Sequence, residues 1–150
     1  MKGRKMELTV KKFDELTTRE LYEILKARAD VFVVEQSCIY NDLDGNDSSA
    51  FHVFLHDGDG IAAYLRVVEA GVYGDSVRIG RVITTRRGLG LGSQIMQAGL
   101  AVARDRLAAH SVTISAQTHA IGFYEKNGFT VTSSEYFEDG IPHVKMVCAL

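Results

Sequence analysis

The sequence predicts one mixed α/β domain over residues 1–150, and three observations carry that prediction. A strand-like run, Val77–Ile83, leads through a glycine-rich loop into a helical stripe of Leu91, Ile95, Met96, Leu100, Ala103 and Leu107. Further β-rich runs lie on both sides of that unit, at Ala50–His56, Ile61–Val68 and Ser111–Ala116. A length of 150 residues suits a single core, and one proline with no low-complexity tract leaves no visible linker.

Composition narrows the function classes. The hydrophobic share of 46% and charged share of 24% are those of a soluble globular protein. A net charge of −2 argues against a nucleic-acid partner, which calls for a basic excess. No run approaches the roughly 20 apolar residues of a membrane span, and residues 1–5 lead into no signal-peptide core. No membrane association is therefore expected. Cys38 and Cys148 form neither a C-x-x-C pair nor a disulfide framework, which points to the reducing cytoplasm.

In chain order, Glu7–Phe13 alternates as a half-buried strand. Thr17 or Thr18 then caps a helix, with Glu20 or Glu23 near its start. The apolar stripe of this helix runs Leu21, Ile24, Leu25, Arg28, Val31 and Phe32, so Arg28 lies on or beside a buried face. A charge there must be paired, and Glu35, seven residues on, falls on the same side if the helix continues. The pair either orders the helix end or belongs to a substrate site.

Gln36–Ser49 reads as an acidic loop. Its glycine follows Asp42-x-Asp44 too early for a calcium loop and no glutamate closes it, so a solvated turn is expected. Asp57–Gly60 joins the next two strands as a hairpin. His52 and His56 share a strand face, but two histidines without a third ligand do not make a metal site, and no metal is expected.

Between the central strand and its helix lie Gly88, Gly90 and Gly92 at alternate positions, just after Arg86 and Arg87. Glycines let backbone N–H groups approach a ligand, and a helix opening there offers unpaired N–H groups and its positive dipole end to an anion. Adjacent arginines suit phosphate oxygens. The Walker pattern fails because no Lys-Ser or Lys-Thr follows, and the spacing is not the G-x-G-x-x-G of dinucleotide folds. The frame that fits is Arg87-x-x-Gly90-x-Gly92.

Downstream, Ala120, Phe123 and Tyr124 share one face of a short helix stopped by Asn127-Gly128. Tyr124 is there either as a core aromatic or for its hydroxyl. A turn at Glu138–Pro142 separates strands Ser134–Phe137 and His143–Val147, and places His143 at an element start.

The Arg87-x-x-Gly90-x-Gly92 loop, set between strand and helix, resembles the pyrophosphate-binding motif of the GCN5-related N-acetyltransferases (GNAT). Ala120-x-x-Phe123-Tyr124-Glu125-Lys126-x-Gly128-Phe129 is similar to the second motif of that superfamily. Arg28–Gln36, the Tyr40–Asp47 loop and Glu138–His143 resemble the ElaA-like subgroup, so the likeness runs from about Leu21 to Met146.

The resemblance implies a mixed, mostly antiparallel sheet of six or seven strands with about four helices. Two parallel strands, around Val82 and Ile114, would diverge at the coenzyme site. It further implies acetyl-CoA as co-substrate and direct transfer of the acetyl group to a primary amine on a small molecule or peptide.

The backbone of Val82, Ile83 and Thr84 would meet the pantetheine arm, and Arg87, Gly88, Leu89, Gly90, Leu91, Gly92 and Ser93 the pyrophosphate. Phe123 would support the coenzyme, as would Gln117, which stands where the family often has asparagine. Tyr124 would protonate the departing sulfur. Glu35, His52 and His143 are candidates for the base, and Arg28, Glu35 and His52 for acceptor contacts. Neither cysteine has a placed histidine partner, which favours direct attack over an acyl-enzyme.

Two other readings compete. One is a non-catalytic acyl-CoA-binding module, against which Tyr124 counts. The other is an acyl-homoserine-lactone synthase-like enzyme, whose early tryptophans are missing from a chain with no Trp. A homodimer is left open.

Overall fold

A computed structural model describes residues 5–72 and 74–150. Four strands, β1 (Glu7–Lys12), β2 (Ala50–His56), β3 (Ile61–Val68) and β4 (Val77–Thr84), follow one another as an antiparallel meander. The β2–β3 hairpin closes on Asp57, whose Oδ1 accepts the N–H groups of Asp59 and Gly60 at 2.9 and 3.2 Å. After the long helix α2 (Leu91–Leu107) the chain returns as β5 (Ser111–Gln117), parallel to β4. A short helix, α3 (Ile121–Lys126), leads to β6 (Phe129–Val131), β7 (Tyr136–Glu138) and β8 (Ile141–Ala149). The sheet order is β1-β2-β3-β4-β5-β8-β6, with β7 also paired to β8. Seven strands on the main path and one beside it make eight, with three α-helices among the described residues.

Both sheet faces are covered, which explains why every residue of β3 is buried. On one face Ile95, Met96, Leu100 and Ala103 of α2 pack with Val53, Leu65 and Ile79. Each of the larger side chains here, fully buried, stabilises the fold by about 1.5–3 kcal/mol, and the Ala103 methyl by less. On the other face lies α1 (Thr18–Arg28), whose Ile24 and Ala27 join Val31, Phe54, Tyr64 and Ile83. Its start is a capping box: Thr17 Oγ1 accepts the Glu20 N–H at 3.0 Å and Glu20 Oε1 accepts the Thr17 N–H at 2.8 Å.

Two expectations for this region are corrected. The chain leaves α1 through a π-helical turn at Ala29–Glu35. Wider i→i+5 turns advance less per residue than an α-helix, so seven residues no longer return to the same face and Glu35 does not meet Arg28. The acidic loop is also not a solvated turn. Asp42 and Asp47 are each 9% exposed, and together with Asp44 they pair with Arg28, Arg66 and Arg81. The loop is thus a strap, fastened by arginines from α1, β3 and β4, and the partnership is invisible along the chain.

Two irregularities set the course of β4. Its ladder with β5 holds only at Val77–Val112 and Arg78–Thr113, after which the strands part. Its register with β3 shifts between Tyr64–Ile83 and Arg66–Gly80, and Arg81 takes φ +53°. This is a β-bulge, which bends the strand and re-aims a side chain. Arg81 is thereby directed to Asp42, with Nε 2.9 Å from Oδ1.

Candidate active site

Where β4 and β5 separate, a cleft of about 530 Å³ opens. From Ile79 to Thr84 the edge of β4 that faces β5 has no strand partner, so its backbone polar groups are turned toward this space. Val82, Ile83 and Thr84 line it from β4, and Gln117 and Tyr124 from the opposite side. The π-turn and the chain after it supply Phe32, Glu35 and Tyr40, while the β7–β8 turn brings Glu138 and His143.

Thr84 and Arg87 also border a second, adjoining hollow of about 330 Å³ with Gly88, Gly90, Leu91, Gly92, Ser93 and Phe123. Gly90, at φ +71°, is the N-cap of α2 and leaves the first N–H groups of that helix without a side-chain cap. A Cβ at Gly88 or Gly90 would meet no atom within 4 Å, so the space above this loop is open. A 17-residue helix therefore presents uncapped N–H groups and its dipole to an open hollow beside an arginine. These residues fit an anionic group such as a pyrophosphate. Leu89 is 62% exposed and lines neither space.

The helix start is held by a residue whose sequence position suggests only a helix stop. Asn127 is buried; its Nδ2 donates to the Phe123 carbonyl at 3.0 Å and to Ser93 Oγ at 3.3 Å, while its Oδ1 accepts from Gln97 at 3.1 Å. The clamp joins α3 to the first turns of α2. Phe123 packs where Gly92 lacks a side chain, 3.1 Å from the place of a Cβ.

Tyr124 sits between Phe123 and Phe129, both edge-on, and its hydroxyl has no hydrogen-bond partner among the described residues. Burial pushes its phenol pKa up to about 12, which keeps it a proton donor at neutral pH. Gln117 is tied on both sides: its Nε2 donates to Gln36 Oε1 at 3.3 Å, and its Oε1 accepts from His119 at 2.6 Å.

His143 Nδ1 lies 2.7 Å from the Ile141 carbonyl, which can only accept, so Nδ1 carries a hydrogen and, in the neutral ring, the free lone pair is on Nε2. Glu138 stands 3.8 Å from Nε2, where it would balance a charged imidazolium. Glu138 also accepts from Ser115 Oγ at 3.2 Å, and Tyr136 stacks on the His143 ring. The sequence marks Glu138 as the start of the turn before His143 but does not show its meeting with Ser115, which depends on the β5–β8–β7 register.

Three expected site residues are placed differently. Arg28 is 0% exposed; Nη1 is 2.7 Å from Asp47 Oδ1 and Nε 3.0 Å from Asp42 Oδ2, and it does not line the cleft. His52 is also 0% exposed, donating from Nε2 to the Asp47 carbonyl at 2.9 Å and accepting from Tyr64 at Nδ1. Burial holds it below the ordinary histidine range, hence neutral. The assignment of Arg28 and His52 to the acceptor, and of His52 to the base, is corrected: both support the strap from beneath. Glu35 does line the cleft, but its Oε1 is 2.7 Å from Arg87 Nη2. Among the described residues no three His, Cys, Asp or Glu side chains gather as a metal-ligand group, and no helix is long and apolar enough to cross a membrane.

Comparison with known proteins agrees with this geometry. Residues 15–150 match the model of an acetyltransferase (GNAT) domain. Escherichia coli ElaA is 38% identical over 136 residues, covering 88% of this chain and 89% of its own. Its crystal structure superposes with a TM-score of 0.89 over 96% of this chain and 99% of that one. An acyl-CoA N-acyltransferase from Pseudomonas aeruginosa, 36% identical, gives a TM-score of 0.89 over 95% and 99% of the two chains. The acyl-homoserine-lactone synthase LasI (TM-score 0.75, 98% and 91% of the two chains) is 16% identical and shows the fold alone. Parting parallel strands, an uncapped helix start behind a glycine loop, and full-length similarity thus converge: this chain belongs to the GNAT superfamily of acyltransferases, in its ElaA-like group.

Proposed function

We propose that the protein is an acetyl-CoA-dependent N-acetyltransferase that acylates a primary amine by direct attack in a ternary complex. The observation that carries this reading is the continuity of the two hollows through Thr84 and Arg87, with Tyr124 lining the larger one. A pantetheine arm fits the unpaired β4 edge at Val82–Thr84, and a pyrophosphate fits the Gly88–Ser93 loop and helix start. When bound, acetyl-CoA supplies an activated acyl group on a thiol leaving group.

The chain's own residues then orient, exclude water and move protons. The amine nitrogen forms the new bond to the acyl carbon as the carbon–sulfur bond breaks. His143 Nε2 receives the proton lost by the amine, with Glu138 across from it, and Tyr124 delivers its hydroxyl proton to the sulfur. Glu35 pairs with Arg87 in an exposed bridge worth about 0–1 kcal/mol, weak enough for phosphate oxygens to compete for the guanidinium. We place this chemistry in the cytoplasm.

The test is thiol release from acetyl-CoA with a panel of primary amines, repeated with Tyr124→Phe. We expect turnover to fall about 10²-fold with acetyl-CoA affinity nearly unchanged. Acetyl-CoA binding with no amine-dependent release from any member of a broad panel would favour a non-catalytic acyl-CoA-binding module.

A further inference from the structure

Glycine in a strand interior weakens the strand and marks a place where another group approaches closely. Gly80 is such a residue: it lies within β4, lines the cleft, and pairs across the sheet with Arg66. No positive φ requires glycine there, and a Cβ built on it would meet no atom within 4 Å. Neither backbone conformation nor packing accounts for the missing side chain. The bulge at Arg81 comes directly after it, so the strand is bent away from regular pairing at this same point.

Position along β4 decides what the space is for. The glycine loop and α2 lie beyond the Thr84 end, and Val82–Thr84 separate Gly80 from them. Gly80 is therefore on the far side of the bulge from the anion hollow. The cleft walls on that side include Val68, paired with Arg78, and Tyr40 of the strap, against which the Arg81 guanidinium stacks. This is the part of the cleft that a coenzyme seated on the loop would leave for the second substrate.

We infer that Gly80 forms the floor of the acceptor subsite and sets the size of the group next to the attacking amine. The inference rests on the N-acetyltransferase reading above. A primary amine on an unbranched or aryl-bearing carbon chain enters over Gly80, its stem against Val68 and Tyr40 and its nitrogen toward His143. A side chain at position 80 fills this space without touching the pyrophosphate loop.

The experiment needs no turnover. Two probes are titrated by calorimetry: coenzyme A itself, and coenzyme A joined at sulfur through a carboxymethyl amide to a phenethylamine group. Wild type, Gly80→Ala and Gly80→Val are compared, with thermal melts to confirm folding; Ala and Val both suit a strand with open space beside it. Expected are coenzyme A affinities within about twofold in all three. The phenethylamide should bind wild type more tightly than coenzyme A by tenfold or more, with the advantage reduced in Gly80→Ala and abolished in Gly80→Val. A phenethylamide that binds Gly80→Val as tightly as wild type overturns the inference, and so does one that gains nothing over coenzyme A in wild type. If Gly80→Val does not fold, Gly80→Ala decides by the same criterion. Failure of coenzyme A to bind wild type is a different result, and overturns the coenzyme reading with it.

Discussion

The two charged ends of the cleft use arginine in opposite ways. At the strap, Arg28, Arg66 and Arg81 each meet carboxylates of Asp42, Asp44 or Asp47, and the Arg28 and Arg66 side chains are 0% and 2% exposed. At the glycine loop, Arg87 is 61% exposed and, among the described residues, holds only Glu35 and the Thr84 carbonyl. A buried guanidinium whose partners all belong to the chain cannot be released to a ligand, because its carboxylates would be left charged and dry. An exposed one can change partners at little cost. The first set is architecture; the second is available for binding.

The largest effect should come from breaking the strap. Arg28→Met removes the charge and leaves Asp47 and Asp42 short of a donor, so urea denaturation should report a loss of about 3–5 kcal/mol. Arg87→Met should change stability by less than about 0.5 kcal/mol. Equal losses would erase the distinction between the two ends.

Acid should attack the same end first. Burial alone would raise the Asp47 carboxyl, but hydrogen bonds and charge from Arg28 and then Arg66 hold it below the usual range. A depressed folded pKa stabilises above the unfolded value near 4 and that contribution is lost as pH falls through the folded value. His52, kept neutral by burial, acts in the same direction from higher pH, since below about 6.5 the unfolded state takes up the proton more readily. Thermal melts should therefore decline below roughly pH 6.5 and steepen below roughly pH 4. In Arg28→Met the steepening near pH 4 should shrink; if it persists, Asp47 is not its source.

A smaller effect is expected at the loop. Gly90→Val puts side-chain bulk into the open space above the α2 start, and acetyl-CoA affinity should drop more than about tenfold, roughly 1.4 kcal/mol. Because Gly90 is left-handed, a stability loss of about 1–2 kcal/mol should accompany it. Unchanged affinity by calorimetry in the folded variant would remove the loop from the binding site.

The smallest is at Glu35. Glu35→Gln frees Arg87 from its carboxylate, and acetyl-CoA should bind about two- to fivefold more tightly at low salt, the difference fading at high salt. Weaker binding would mean that Glu35 positions Arg87 rather than competing for it.

The readable parts of this protein were those whose cause is local. Thr17 and Glu20 cap α1 three residues apart, the Asp57–Gly60 turn makes its own hydrogen bonds, and the glycine loop with its helix start is one continuous segment. The unreadable parts needed partners from distant elements. Arg28 looked like half of a helical pair with Glu35, yet its carboxylates lie 14 and 19 residues away. His52 looked available for chemistry, and only the covering of β2 by the strap and Tyr64 made it a buried, neutral support.

By itself, then, the chain's order of residues determined the strand–glycine loop–helix unit and the short helix stopped at Asn127-Gly128, since periodicity, capping and turn chemistry act over a few residues, while the motifs around Gly90 and Tyr124 carried the resemblance to the family. Tertiary structure alone decided which charges are structural, that the bulge turns Arg81 onto the strap, and that Gly80 opens onto a cleft. Those outcomes depend on sheet register, on a bulge at one residue and on a π-turn that shifts a helix face. Each is set by the packing of segments far apart in the chain, and none leaves a trace in local spacing.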